Sequence, residues 1–320
     1  MDYENSELMQ QELQCTEECM AERLKAARKV FSRLGLGFAV MVLAATLAAF
    51  LISRIPGLAD APWGVWVISF LPQYLVGLPL CLLLVRKLPA RAPEKGSLKP
   101  GKFLSALIIS FFLMYAGNLI GNLISTVLRA LLGIAAGNII ESVAMESSLL
   151  SKLVFMVLLA PVLEELICRK MLIDRMAVYG EKLAVVTSAL IFALFHQNLV
   201  QVIYAFGLGV VLGYIYIRTG KIALCMLLHA IINFVGSVLA PLAITDVAAE
   251  TVGPGVILLG LFVIVCFILG PILLIKNRRL SFNEAEQELP KKYHFKAAWL
   301  NVGMALFAVV TLAFTVINAL

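Results

Sequence analysis

The stretch LLAPVLEELICRK, Leu158 to Lys170, decides how this chain is read. It begins as an apolar run of the kind that enters a membrane, then sets Glu164, Glu165 and Arg169 in that apolar setting. An ionisable group in a hydrocarbon-spanning helix costs roughly 2.5–3.5 kcal/mol on insertion scales. Leu, Val and Ile abound in this chain, so packing alone does not account for two carboxylates there.

Composition supports the membrane setting. Of 320 residues, 61% are hydrophobic and 14% charged, against about 25% charged in soluble domains. The apolar runs are far longer than the roughly ten residues of a membrane β-strand. The expected fold is therefore all-α, a polytopic bundle of about eight to nine transmembrane helices, and a soluble domain is excluded. Spans are expected near 34–54, 64–85, 103–128, 151–172, 183–196, 199–217, 222–240, 255–275 and 297–319. The organisation that follows is an amphipathic cytoplasmic segment 1–33, a hairpin and basic linker 34–102, a transmembrane core 103–275, and a loop with a last helix 276–320.

The net charge of +6 reports orientation rather than a nucleic-acid partner. Of the 26 Lys and Arg residues, 23 fall on one side of these spans, leaving Arg54, Arg129 and Lys152 on the other. By the positive-inside rule the basic side is cytoplasmic, which places the N-terminus inside and the C-terminus outside a cell membrane, expected to be bacterial. The six cysteines lie in spans or on the inner side, so no disulfide framework is expected. Cys15 and Cys19 lack nearby histidine and make a poor metal site, and segment 1–33 lacks the form of a cleavable signal.

Smaller features fill in this picture. Trp63 and Trp66 are expected in an aromatic belt at the outer boundary, and Pro72 and Pro79 kink the second span. Gly117 and Gly121 have a small-xxx-small spacing that permits close helix contact, with Asn118 and Asn122 placed to bond across an interface. Residues 129–150 read as an outer loop, and Asp246 and Glu250 lie in another.

The chain has three histidines. His294 lies in a basic stretch, but His196 and His229 fall in or at the end of apolar spans, as do the two glutamates. Glu165 and Arg169 are four apart with the carboxylate N-terminal, the arrangement that favours an ion pair on one helix face. Glu164 points about 100° away and stays free to act as a base, while Pro161 opens the helix just before it. His229 and Asn233 share a face, as do Phe192 and His196. A carboxylate, two imidazoles and an amide suit hydrolysis, with a deprotonated water as nucleophile and the donors on the oxyanion. The same groups, Glu164, His196 and His229, suit a divalent metal equally well, and the residues leave both possibilities open.

Glu164-Glu165-xxx-Arg169, Phe192-xxx-His196 and His229-xxx-Asn233, in that order on successive spans, resemble the CPBP family of intramembrane proteases. That group includes the CaaX-prenyl-protease-like and bacteriocin-processing membrane proteins. The run from Phe206-Gly207-Leu208-Gly209 through Gly213-Tyr214 to Arg218-Thr219-Gly220 is also similar to it. The resemblance covers about residues 150–240 and leaves both ends of the chain untouched. Beside the first motif this chain has Cys168-Arg169-Lys170 where the family often has Phe-Arg-Gly.

The resemblance implies a catalytic core within 103–275, with Glu164 and His196 activating water, His229 and Asn233 forming the oxyanion site, and Glu165 and Arg169 in support. It implies a glutamate-type peptidase acting on a peptide or membrane-protein substrate, in a family long described as metal-dependent. The expected cavity opens to the membrane or the cytoplasm. Two other classes stand beside this reading. One is a non-proteolytic binding or immunity protein of the same fold, and the other is a proton-coupled transporter, which the lack of an inverted repeat disfavours.

Overall fold

The structure is a computed structural model that describes residues 2–61, 63–133, 147–243 and 253–319, with side chains from Glu17 to Asn318. Inside a bilayer no water is present to satisfy backbone groups, so long apolar runs wind into helices. No strand occurs among the described residues.

Helix α1 (Asp2–Ile52) runs without a break through position 33, where an amphipathic segment was expected to end. Helix α2 (Gly64–Val85) follows, with its Gln73–Gly77 turn wound more widely between Pro72 and Pro79. Helix α3 (Pro100–Leu132) ends at Gly133, whose φ of 69° closes the last turn. Then come a helical run over 149–176, here α4, and α5 (Glu181–Phe195), α6 (Leu199–Thr219), α7 (Ile222–Ala243) and α8 (Pro254–Lys276). The chain closes with α9 (Lys291–Ala298) and α10 (Val302–Ala319), bent by 67° against each other.

Helices α1, α2, α3, α6, α7 and α8 are long and apolar enough to cross a membrane, and α9 with α10 makes a seventh if taken as one span. The protein is a multi-pass membrane protein. The two helices outside that set, which bring the expected count to nine, are α4 and α5. Helix α4 carries seven charged side chains. Helix α5 has 15 residues, about 22 Å at 1.5 Å per residue, short of the roughly 30 Å hydrocarbon core.

Helix α6 is the central packing element, against α3 on one side and α5 on the other. Glycines let these helices meet. A Cβ added at Gly117 would lie 2.8 Å from Tyr204 Cβ, one at Gly121 2.8 Å from Val200 Cα, and one at Gly209 2.8 Å from Ala189 Cα. The small-xxx-small spacing in α3 thus faces α6. Asn122 Nδ2 donates to Asn118 Oδ1 at 2.7 Å, within α3 rather than across an interface as expected.

At the basic end two non-helical segments cross beneath the bundle. The 86–99 linker donates from Arg91 N–H to Asp174 O at 2.7 Å and from Gly96 N–H to Thr219 O at 2.9 Å. The 277–290 segment donates from Gln287 N–H to Val178 O at 2.9 Å and from Leu289 N–H to Tyr179 O at 3.1 Å. At the other end, Trp63 is exposed but Trp66 is buried and stacked on Phe155, with centroids 5.0 Å apart. Trp66 therefore lines the protein interior instead of the expected aromatic belt. The expected acidic loop with Asp246 and Glu250, and most of the 129–150 loop, lie outside the described residues.

Gly117→Val forces a branched side chain against the α6 backbone, and overpacking of this kind costs about 1–3 kcal/mol. Gly260→Ala adds a Cβ with nothing within 4 Å and should be neutral or stabilising. Thermal unfolding in detergent compares the two, and equal melting temperatures would refute the close α3–α6 contact.

Candidate functional site

Helix α4 is wound irregularly on both sides of Pro161. Over Lys152–Leu159 and again over Leu166–Ile173 it winds with i→i+5 hydrogen bonds, and a normal α-turn holds Ala160–Glu165 between them. Such wide turns cluster at functional sites. The Ala160 N–H reaches Phe155 O, and the next donor in that register belongs to residue 161. Proline has none, so the Met156 carbonyl loses its backbone partner. Asn233 Nδ2 on α7 donates to that carbonyl at 2.8 Å. The carbonyl expected to be left open at Pro161 is therefore taken by a side chain, and half of the Asn233 donor capacity is committed.

One turn further on, the ion pair read from the i,i+4 spacing is present. Arg169 Nε donates to Glu165 Oε2 at 2.9 Å, with both side chains 0% exposed. Arg169 Nη1 donates to Ser188 Oγ at 3.0 Å, and the Ser188 hydroxyl donates to the Cys168 carbonyl. His229 Nδ1 donates to Glu165 Oε1 at 3.0 Å. Glu165 thus accepts from a guanidinium and an imidazole at once, which a buried carboxylate needs.

Glu164, expected to be unpaired, has His229 Nε2 at 3.7 Å from its Oε2. Its side chain is 18% exposed, and that access separates it from Glu165. His229 stands between the two carboxylates, one ring nitrogen toward each. Phe192 fills the space among these groups. The Arg169 guanidinium lies 5.1 Å over its ring, and both imidazoles meet it edge-on, His196 at 4.7 Å and His229 at 5.8 Å between centroids.

His196 follows the last residue of α5. The turn to α6 places Gln197 at φ 49°, in the left-handed region that non-glycine residues seldom adopt. Asn198 caps α6 by accepting from Gln201 N–H at 3.1 Å. His196 Nδ1 donates to the Phe192 carbonyl at 2.7 Å, so its Nε2 is the ring nitrogen left over. Helix α5 ends just before His196, which shares one cavity with Glu164. That cavity, about 510 Å³, is lined by Glu164, Phe192, His196, His229 and Asn233 together with aromatic and small residues of α2, α3, α4, α6 and α7. Glu165 and Arg169 are packed behind its wall.

A metal is the remaining possibility for this donor set. Both histidines have Nδ1 engaged, which leaves each Nε2 as the nitrogen a metal would use, but among the described residues no group of three or more His, Cys, Asp or Glu side chains is arranged to hold a metal ion. The set of Glu164, His196 and His229 does not fit one as it stands, and no step below runs through a metal.

Sequence reasoning missed Ser188, although Ser188, Phe192 and His196 recur every four residues on α5 and that stripe was visible. It also missed Trp66, Phe70, Tyr204 and the Asn118–Asn122 pair as cavity residues. Only their helix crossings bring them there, and no local spacing signals it. Of the two positions departing from the family pattern, Cys168 is buried and Lys170 is exposed, its Nζ 3.8 Å from Asp174 Oδ2.

Residues 146–235 match the family described as Rce1-like, type II CAAX prenyl endopeptidase Rce1-like. This segment contains Glu164, Glu165, Arg169, Phe192, His196, His229 and Asn233. No curated protein and no solved structure matches the chain.

Arg169→Met leaves the Glu165 carboxylate buried without its guanidinium, and breaking such a pair costs about 3–5 kcal/mol. Replacing both partners, Glu165→Leu with Arg169→Met, should recover most of the loss. A double-mutant cycle by thermal unfolding measures the coupling, and strictly additive losses would show that the two do not act as a pair.

Proposed function

We propose that the protein, whose residues 146–235 match the Rce1-like family, is an intramembrane endopeptidase that hydrolyses peptide bonds in membrane-associated or peptide substrates. The observation that carries this reading is the inequality of the two glutamates. Glu165 is sealed and fully committed, whereas Glu164 reaches the cavity with an imidazole beside it.

Glu164 accepts a proton from a water held between its carboxylate and His196 Nε2. The hydroxide attacks the scissile carbonyl carbon, and the carbonyl oxygen becomes an oxyanion. His229 in its protonated form offers Nε2–H, and Asn233 offers its second Nδ2 hydrogen, as donors to that oxygen. Collapse of the intermediate breaks the C–N bond, and Glu164 returns its proton to the leaving nitrogen. A positioned general base contributes about 10²–10⁴-fold. Glu165, Arg169 and Ser188 hold His229 and Phe192 in place without meeting substrate. The asymmetry of Lys and Arg supports a cytoplasmic N-terminus.

Purified protein in detergent, offered a quenched-fluorescent peptide library with and without chelator, tests the proposal. Glu164→Ala is expected to lose about 10²–10⁴-fold in kcat/KM with little change in melting temperature, because Glu164 pairs only loosely. Full activity in that variant would sink the assignment, and activity abolished by chelator would return a metal to the site.

A further inference from the structure

The cavity is not symmetric along the bundle. Its deepest lining residues, Leu208 and His229, sit near the middle of α6 and in the lower half of α7. From there the lining climbs through Asn233 and Tyr204 to Asn122 and Pro241, always toward the ends of α3 and α7 that lie away from the linker. Accessibility climbs with it. Arg169 and Glu165 are 0% exposed, Glu164 is 18% exposed, and Asn118 and Asn122 are exposed.

The opposite end is closed. Below the ion pair, Leu172, Ile173 and Met176 are fully buried, and Tyr216 O–H donates to Asp174 Oδ1 at 2.7 Å. The two crossing segments, 86–99 and 277–290, then hydrogen-bond across that end. The 86–99 segment is basic, 277–290 carries Arg278 and Arg279 beside three glutamates, and both lie on the side that holds 23 of the 26 Lys and Arg residues. The closed end is thus the cytoplasmic one by the positive-inside rule.

The lining also bears on what enters. Among the described residues it contains one carboxylate, Glu164, and no Lys or Arg. A substrate's terminal carboxylate would meet no guanidinium or ammonium there, and the one imidazolium, His229, is committed to Glu165 and the oxyanion, so that charge would be buried without a partner of its own, which is costly. An uncharged stretch from within a chain meets no such penalty, and the aromatic wall of Trp66, Phe70 and Phe155 gives it apolar contact.

We infer that the catalytic cavity is entered from the extracytoplasmic side and takes an internal stretch of an exported or outer-leaflet polypeptide. This rests on the peptidase reading and the orientation given above.

Site-directed labelling in whole cells tests the side of entry without reference to activity. Cys15 and Cys19 are first replaced by Ser; Cys81, Cys168, Cys225 and Cys266 are buried. Asn118→Cys stands in the cavity mouth and Lys95→Cys on the linker, both at exposed positions. A membrane-impermeant maleimide should label Asn118→Cys in intact cells and Lys95→Cys only after permeabilisation. Gly236→Cys, at an exposed cavity position where a Cβ meets only Met114 Sδ at 3.8 Å, replaces Asn118→Cys if that variant does not fold. Labelling of the mouth cysteine only after permeabilisation overturns the inference and leaves the peptidase reading intact.

A second arm supplies a quenched peptide with acetylated and amidated ends to right-side-out and inverted vesicles, with Glu164→Ala as background. Cleavage by right-side-out vesicles alone supports the inference. Cleavage confined to inverted vesicles, or a requirement for a free terminal carboxylate, overturns it. No cleavage by either preparation overturns the peptidase reading and the substrate class with it, and the labelling then stands alone on which side is open.

Discussion

The Glu165–Arg169 pair, sealed from solvent inside the bundle, is the constraint on which the rest of the site depends. The guanidinium is planar, and each part of it is used. Nε meets Glu165, Nη1 meets Ser188, and the plane lies over Phe192. A lysine ammonium offers neither the fork nor the flat face. Because Glu165 also accepts from His229, and Phe192 abuts both imidazoles, the geometry of one buried cation is passed to every group around the cavity. The helices α4, α5 and α7 are held in register by charge and ring contacts, in an interior where lipid-like side chains alone would let them slide.

What the sequence discloses about this arrangement follows from the range of each interaction. The fold class and the Glu165–Arg169 pair were legible, because hydropathy and i,i+4 spacing are properties of one helix. The membership of Glu164, His196, His229 and Asn233 in one cavity was legible through the family pattern. Their bonding was not. His229 turning Nδ1 to Glu165 and Nε2 toward Glu164, or Asn233 capturing the carbonyl that Pro161 strands, each depends on how α7 crosses α4. Trp66 illustrates the same limit from outside the family segment. A tryptophan near a predicted boundary reads as a belt residue, and only the stacking of α2 against Phe155 shows otherwise. The short α5 was the informative irregularity. It ends just before His196, which shares the cavity with Glu164.

The charges that make α4 useful also bear on how it reaches the membrane. At roughly 2.5–3.5 kcal/mol for each charge near the centre of a span, α4 with Glu164, Glu165 and Arg169 is a poor candidate for insertion by itself, and α5 is too short to hold a transbilayer position alone. The Glu165–Arg169 contact forms within α4 as soon as it is helical, but Ser188 and His229 arrive only with α5 and α7. Helices α3, α6 and α7 have the apolar length to enter independently. Biogenesis of the bundle is then cooperative across several helices: the translocon must retain α4 and α5 beside their neighbours until α7 has been synthesised. The segment that carries the chemistry gains its partners only with α5 and α7, so a chain cut before α7 holds no assembled site.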